Sequence, residues 1–254
     1  MTAPAHLSPA PGTRVLVTGA AGAIGRSVAL AFAEAGARVA VSDLDGERLR
    51  SVAREVRALA ELPVDLRSVD DSAGLPGAAF TALDGLDVVA HMSGLLLRRD
   101  DLAEITAEDW DVQQEVNLRS TFFVLRAAAE LMADQGQGGR LIAATSQGWW
   151  TGGVGGSAVY AASKGGVVSL CRGLARTYGP AGITVNTVAP GAVRSPMLLK
   201  DLSEDALQDI VAHTPLGRLG SPEEIAGPVL FLASPQASFI TAATINVSGG
   251  WLPY

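Results

Sequence analysis

The stretch VLVTGAAGAIG, residues 15–25, decides how the rest of the chain is read. A short β-branched run passes through Thr18 and Gly19 into an apolar-periodic segment, Ile24 to Ala35, that ends at Gly36. This is the pattern of a strand, a tight glycine turn and a helix closed by a glycine. Such a turn aims the free N–H groups and the positive end of the helix at an anionic ligand such as a phosphate. Gly19 would permit the turn and Gly25 a close helix–strand approach. The spacing is Gly19-x5-Gly25, and a plain glycine-rich connection satisfies it as well.

The pattern repeats along the chain. Further strand-like runs are Arg38–Ser42, Leu62–Asp65, Asp87–His91, Arg140–Thr145, Ile183–Ala189 and Thr244–Val247, besides Arg14–Thr18 at the start. They are apolar without strict alternation, as strands buried on both faces are. Helical patterns lie between them: Glu47–Leu59, Ala107–Met132 as one helix or two abutting ones, Ala158–Tyr178 stopped by Gly179-Pro180, and one opening at Ser221-Pro222-Glu223-Glu224. The alternation predicts an α/β fold, a Rossmann-like doubly wound parallel sheet of about seven strands flanked by helices. Residues 1–12 read as a frayed tail without an apolar signal core and 13–254 as one domain. Residues 193–214 are the least strand-like and form a candidate lid.

Composition narrows the function classes. The 254 residues are 48% hydrophobic and carry a formal net charge of −7, which speaks against disorder and against a basic face for nucleic acid. One cysteine, Cys171, leaves no internal disulfide framework. No apolar run reaches membrane-spanning length. The expectation is a soluble cytoplasmic protein with no membrane or nucleic-acid partner. His6, His91 and His213 lack metal-ligand spacing, so no metal is expected.

Asp43 ends the second strand, 24 residues after Gly19. A carboxylate there can accept both ribose hydroxyls of an adenosine and repel a 2′-phosphate. It can also cap the next helix, a role Asp45 could take instead. Tyr160 and Lys164 in YAASK share one helix face. A nearby ammonium should favour the phenolate, lowering a pKa that is ordinarily about 10 and fitting the phenol for proton transfer. Ser146 follows the strand RLIAAT and should emerge at its carboxyl end, where open α/β sheets bind ligands.

Together these residues resemble the short-chain dehydrogenase/reductase family, of the type near 250 residues. The likeness runs from Arg14 to Gly250: TGAAGAIG at 18–25, Asp43, Asp65-Leu66, Asn117 in EVNL, Ser146, Tyr160-x3-Lys164, VNTVAPG at 185–191, PLGRLGSPEEIA at 215–226 and NVSGG at 246–250. The resemblance implies an NAD-dependent oxidoreductase that moves hydride between nicotinamide and a secondary alcohol or ketone. In that reading Tyr160 is the general acid/base. Lys164 lowers its pKa and holds the nicotinamide ribose, Ser146 positions the substrate oxygen, and Asn117 holds a relay water. Gly19 and Ile24 line the pyrophosphate, and Asp43 reads the adenosine ribose. Leu44, Asp65, Leu66, Met92 and Gly94 follow along the cofactor. Pro190, Gly191 and Val193 reach the carboxamide, with the Ser195 hydroxyl beside it. Family members often assemble as tetramers through their two long helices and C-terminal segment, so a homotetramer, or a homodimer, is expected.

Two departures stand out. Ala23 replaces the middle glycine of the family's TG-x3-G-x-G, and His91-Met92-Ser93-Gly94 replaces Asn-Asn-Ala-Gly. His91 either ties neighbouring strands, as the usual Asn does, or is a packed core histidine. On the substrate side, Gln147, Trp149 and Trp150 lie between Ser146 and Tyr160, with Leu95–Leu97 and Met197–Leu199 as further apolar wall. They suggest a ring-containing or hydrophobic alcohol. Arg98, Arg99 and Arg194 are the cations in reach, without an evident anion clamp. A sugar or polyol dehydrogenase and a 3-oxoacyl-thioester reductase are the alternatives within the family, and a dinucleotide-sensing regulator is the alternative outside catalysis. Asp43 counts against an NADP-linked reductase.

Overall fold

The computed structural model describes residues 7–44, 46–200 and 203–251. The first half alternates β1 (Arg14–Thr18), α1 (Ala23–Glu34), β2 (Arg38–Asp43), α2 (Gly46–Val56), β3 (Ala60–Pro63), α3 (Val69–Leu83) and β4 (Val88–His91). The second half runs α4 (Ala107–Gln114), α5 (Ser120–Gln135), β5 (Gly139–Ala144), α6 (Gly148–Thr151), α7 (Ala158–Tyr178) and β6 (Ile183–Pro190). It closes with α8 (Pro196–Leu199), α9 (Glu204–His213), α10 (Pro222–Ala233) and β7 (Thr244–Val247). The strands form one seven-stranded sheet in the order β3-β2-β1-β4-β5-β6-β7, every pair parallel. This is the doubly wound Rossmann-like architecture that the sequence predicts.

The strands are apolar throughout because each feeds two cores. Val15 and Val17 of β1 point into a cluster with Val28 and Phe32 of α1 and Ile225 and Val229 of α10. Leu16 between them points the other way, with Leu75 of α3, Leu125 of α5 and Val167 of α7. Successive side chains of a strand face opposite sides, so both must be apolar when helices cover both. The strand order reverses between β1 and β4, which opens a crevice at their carboxyl ends.

Several boundaries differ from expectation. The strand expected at Leu62–Asp65 pairs at Ala60–Pro63 instead, ending at a proline with no N–H to donate. The helix α3 is not foreshadowed, since Gly74, Pro76 and Gly77 depress its propensity, yet Ser68 caps it by accepting from Asp71 N. The long pattern from Ala107 divides into α4 and α5 around a π-helical turn, Glu115–Arg119. Within the expected tail, residues 7–12 are described, most of them exposed. Pro9 is buried, and Gly12 N donates to Gly36 O at 2.8 Å. Asp45, considered as a cap, lies outside the described residues.

Candidate active site

The glycine turn after β1 is held from three sides. Gly19 adopts φ +67°, and a Cβ there would lie 2.7 Å from Ser93 N and 2.8 Å from Met92 C. A Cβ on Gly25 would overlap the Gly19 carbonyl. Asp43, at the end of β2, accepts from Ala21 N at 2.9 Å with one oxygen and from Leu44 N at 2.7 Å with the other. The helix α1 begins at Ala23 behind Gly22, which brings no capping side chain, so its first turn is left to a ligand or to water. Ala23 therefore takes the first helical position, and Ile24 packs partly against the core. A methyl at either glycine would strike the backbone packed around this turn, and the open first-turn donors of α1 suit an anion.

The chain leaves β4 through His91-Met92-Ser93-Gly94. His91 is buried, and its Nδ1 lies 2.9 Å from Thr18 Oγ1. Ser93 Oγ donates to the same Thr18 oxygen at 2.8 Å. His91 thus does both things considered for it, joining β4 to β1 and packing in the core. Burial first, and the charge of Lys164 second, depress its pKa from 6.5 to about 3, so it is neutral.

The π-helical turn carries Asn117 inward. Its Nδ2 donates to Leu95 O at 2.9 Å and to Ser163 Oγ at 3.0 Å, and its Oδ1 accepts from Leu95 N at 2.7 Å. Lys164 is buried, and its Nζ donates to Ala144 O at 2.9 Å and Ser93 O at 3.3 Å. Gly94 separates the two side chains: a Cβ there would stand 3.3 Å from Lys164 Nζ and 3.6 Å from Asn117 Oδ1. Ser163, which the sequence does not single out, joins Asn117 to the Tyr160 carbonyl by donating to it at 2.7 Å. Its only signal is its place one residue before Lys164.

Ser146 leaves the end of β5 with Oγ accepting from Gly148 N at 3.1 Å, near enough to the Tyr160 phenol to act on it. Lys164 Nζ lies 5.8 Å from the Tyr160 ring centroid. The sequence brings these four residues together as expected, but one electrostatic expectation is reversed. Burial pushes the Tyr160 phenol up to about 12, against smaller downward pulls from the Ser146 hydrogen bond and the charge of Arg98. Lys164 does not lower it here. Its ammonium is bonded to backbone carbonyls and is itself pushed down by burial, to about 8. Burial also pushes the neighbouring Cys171 thiol up to about 12.

The remaining residues fall into place around this cluster. Pro190 ends β6, and Gly191 N donates to Val247 O at 3.0 Å. A Cβ on Gly191 would lie 2.6 Å from Ser248 Cα and 3.0 Å from Gln147 Oε1, so the Gln147 amide faces Gly191. Val193 is buried and bridges to Gly220. A cavity of about 190 Å³ opens beside Gly191, lined by Leu216, Arg218, Ile225 and Ser248 among others, and does not reach Tyr160. Ser195 spends its hydroxyl capping α8, accepting from Leu198 N at 3.3 Å, and Met197 is 44% exposed. At the other end, Leu44 is exposed. Asp65 is tied to Arg67 at 2.6 Å, and Leu66 O accepts from Ser72 Oγ. Met92 is buried.

The tryptophan pair departs from expectation. Trp149 stacks edge-on with Trp150, and the Arg172 guanidinium lies 5.9 Å from its ring. Arg172 is about three turns beyond Tyr160 on α7, and Trp150 is 61% exposed. The pair is thus turned along α7 instead of forming a wall over Tyr160. The helix α6 ends after one turn at the left-handed Gly152 (φ +81°).

Comparison with known proteins accounts for the arrangement. A family model described as enoyl-(acyl carrier protein) reductase matches residues 19–252. A (2S)-[(R)-hydroxy(phenyl)methyl]succinyl-CoA dehydrogenase subunit of Thauera aromatica is 35% identical, over 92% of this chain and 94% of its own length. A 3-oxoacyl-[acyl-carrier-protein] reductase of Aquifex aeolicus is also 35% identical, over 92% and 95%. The crystal structure of a short-chain type dehydrogenase/reductase from Mycobacterium marinum superposes with a TM-score of 0.89 at 33% identity, covering 96% of each chain. The chain belongs to the short-chain dehydrogenase/reductase family, oxidoreductases that act on alcohols and ketones with a nicotinamide cofactor. Among the described residues, no helix is long and apolar enough to cross a membrane.

Proposed function

We propose that the protein is an NAD(H)-linked oxidoreductase exchanging hydride with a secondary alcohol or ketone that is ring-containing or hydrophobic. The observation that carries this is the cluster of partly buried Ser146 and Tyr160 with buried Lys164 and Asn117 beside the glycine turn. The glycine turn fits a dinucleotide, because the start of α1, which has no capping side chain, leaves N–H groups that suit a pyrophosphate. The bound nicotinamide would supply the hydride chemistry and, when oxidised, a positive charge. Asp43, at the end of β2, suits an unphosphorylated adenosine ribose and favours NAD over NADP.

The chain's own groups handle the proton. With its pKa near 12, the Tyr160 phenol is protonated at neutral pH and placed to give its proton to a carbonyl oxygen. Ser146, at the end of β5 near the phenol, would steady that oxygen by donating to it. Lys164 supplies a fixed positive charge near the ring, and Asn117 fixes the backbone at Leu95. The apolar substrate preference rests on Leu96 and Leu97 near the mouth and on the exposed Met197 and Leu199 of the candidate lid. The phenyl-bearing substrate in the name of the Thauera relative agrees with it.

Replacing Tyr160 by Phe tests the proposal. Turnover of a panel of secondary alcohols, read as NADH absorbance, should be lost while NADH binding persists. Retained turnover would remove Tyr160 from the chemistry.

A further inference from the structure

The loop after β4 spans the mouth of the candidate active site and is fastened at both ends. At its start, Leu95 is clamped through both backbone groups by Asn117. Leu97 N then donates to Gln113 Oε1 at 3.1 Å. At its far end, Arg99 N donates to Gly156 O at 3.1 Å, and any side chain on Gly156 would strike the Arg99 backbone. Gly156 is four residues before Tyr160, so residues 95–99 run from the floor beside Lys164 to the entrance of the helix bearing the phenol. Arg99 is spent on this fastening, its guanidinium held bidentately by Asp109 at 2.7 and 3.1 Å.

Arg98 is different. Its side chain is partly buried, and among the described residues its guanidinium has neither a carboxylate partner nor a hydrogen-bond acceptor. It also lies near enough for its charge to act on the Tyr160 hydroxyl. A guanidinium carried on a backbone fastened on both sides of it, in a chain of net charge −7, within range of the Tyr160 hydroxyl and without a carboxylate among the described residues, is a ready partner for an anion.

We propose that Arg98 recognises a carboxylate on the substrate, a few bonds from the reacting carbinol carbon, so that the enzyme acts on hydroxy or oxo acids with an apolar body. This rests on the reading of Tyr160 as the proton-transfer group and deepens it. A carboxylate suits the site better than a phosphate, because one planar fork meets two oxygens.

Benzoate and benzamide, equal in size and different in charge, are the probes. NADH binding to wild type is read first by quenching of tryptophan fluorescence, and its absence would overturn the dinucleotide reading itself. With NADH bound, calorimetry should find benzoate at least about tenfold tighter than benzamide, the order expected of a charged hydrogen-bonded pair. Arg98→Gln should weaken benzoate by about tenfold and leave benzamide unchanged, while Arg98→Lys restores part of the difference. Melting temperatures of both variants should match wild type. Equal binding of the two probes to the wild-type NADH complex, no benzoate binding at all, or full benzoate affinity in Arg98→Gln would each overturn the assignment.

Discussion

His91→Asn isolates the consequence of burying a titratable ring at the end of β4. In the folded protein His91 is neutral, its pKa depressed from 6.5 to about 3, mainly by loss of solvent. The unfolded chain therefore binds a proton that the folded one refuses between those two values, and stability falls as pH falls through that window. The full contribution, present above pH 6.5, is roughly 5 kcal/mol at 1.36 kcal/mol per unit. Between pH 6.5 and 5 roughly 2 kcal/mol of it should be lost. Asparagine, the usual residue of the family here, can still reach the Thr18 hydroxyl but does not titrate. Carboxylates also titrate as pH falls, but equally in both proteins, so the difference belongs to His91. Urea unfolding of wild type and variant at pH 7 and pH 5 measures it, with wild type losing about 2 kcal/mol more than the variant. Equal losses would show that His91 is not desolvated as the structure has it.

Three further outcomes can be checked. Asp43→Ala should narrow the preference for NAD over NADP by a few kcal/mol at most, about one charge–charge contact near a surface, read from kcat/KM with each cofactor; a wild type that prefers NADP would contradict the role given to Asp43. Gly94→Ala places a methyl 3.3 Å from Lys164 Nζ and should push the ammonium off its carbonyl partners, lowering kcat by about tenfold or more without unfolding the protein; unchanged kcat would mean that the position of Lys164 is not critical. Sedimentation should find a tetramer, or a dimer, joined through the outer faces of α5 and α7, where Arg126 covers the Phe122 and Phe123 rings; a monomer at micromolar concentration would exclude it.

The parts of the fold legible in the sequence are those fixed by one residue's steric need or by a two-sided apolar strand. Gly19 and Gly25 were readable because a Cβ at either has nowhere to go. The β1 run was readable because Val15, Leu16 and Val17 feed opposite cores. What escaped depends on tertiary context. The helix α3 forms despite Gly74, Pro76 and Gly77 because Leu75, Ala79 and Leu83 bury one face. The π-helical turn leaves no local signature, yet it sets where Asn117 points. The direction of the tryptophans is not legible because adjacency in sequence gives none; the structure sets Trp149 beside Arg172 of α7.

The Tyr160–Lys164 pair shows the same lesson in electrostatic form. Helical spacing implies an attraction between phenolate and ammonium, but it is silent about solvent. Burial acts on both groups and opposes charge on each, raising the phenol to about 12 and lowering the ammonium to about 8. Near neutral pH the pair rests as phenol and ammonium, the state from which a proton is given to a carbonyl. Alcohol oxidation needs the phenolate, so further positive charge must come to the ring from outside the pair. Arg98 already supplies some of that pull. A substrate carboxylate seated on Arg98 would cancel it and favour the protonated phenol, biasing the site toward reduction of an oxo acid. The group that selects the substrate would thus also set the proton balance of the reaction, and replacing Arg98 should shift the pH at which oxidation sets in upward even for neutral alcohols.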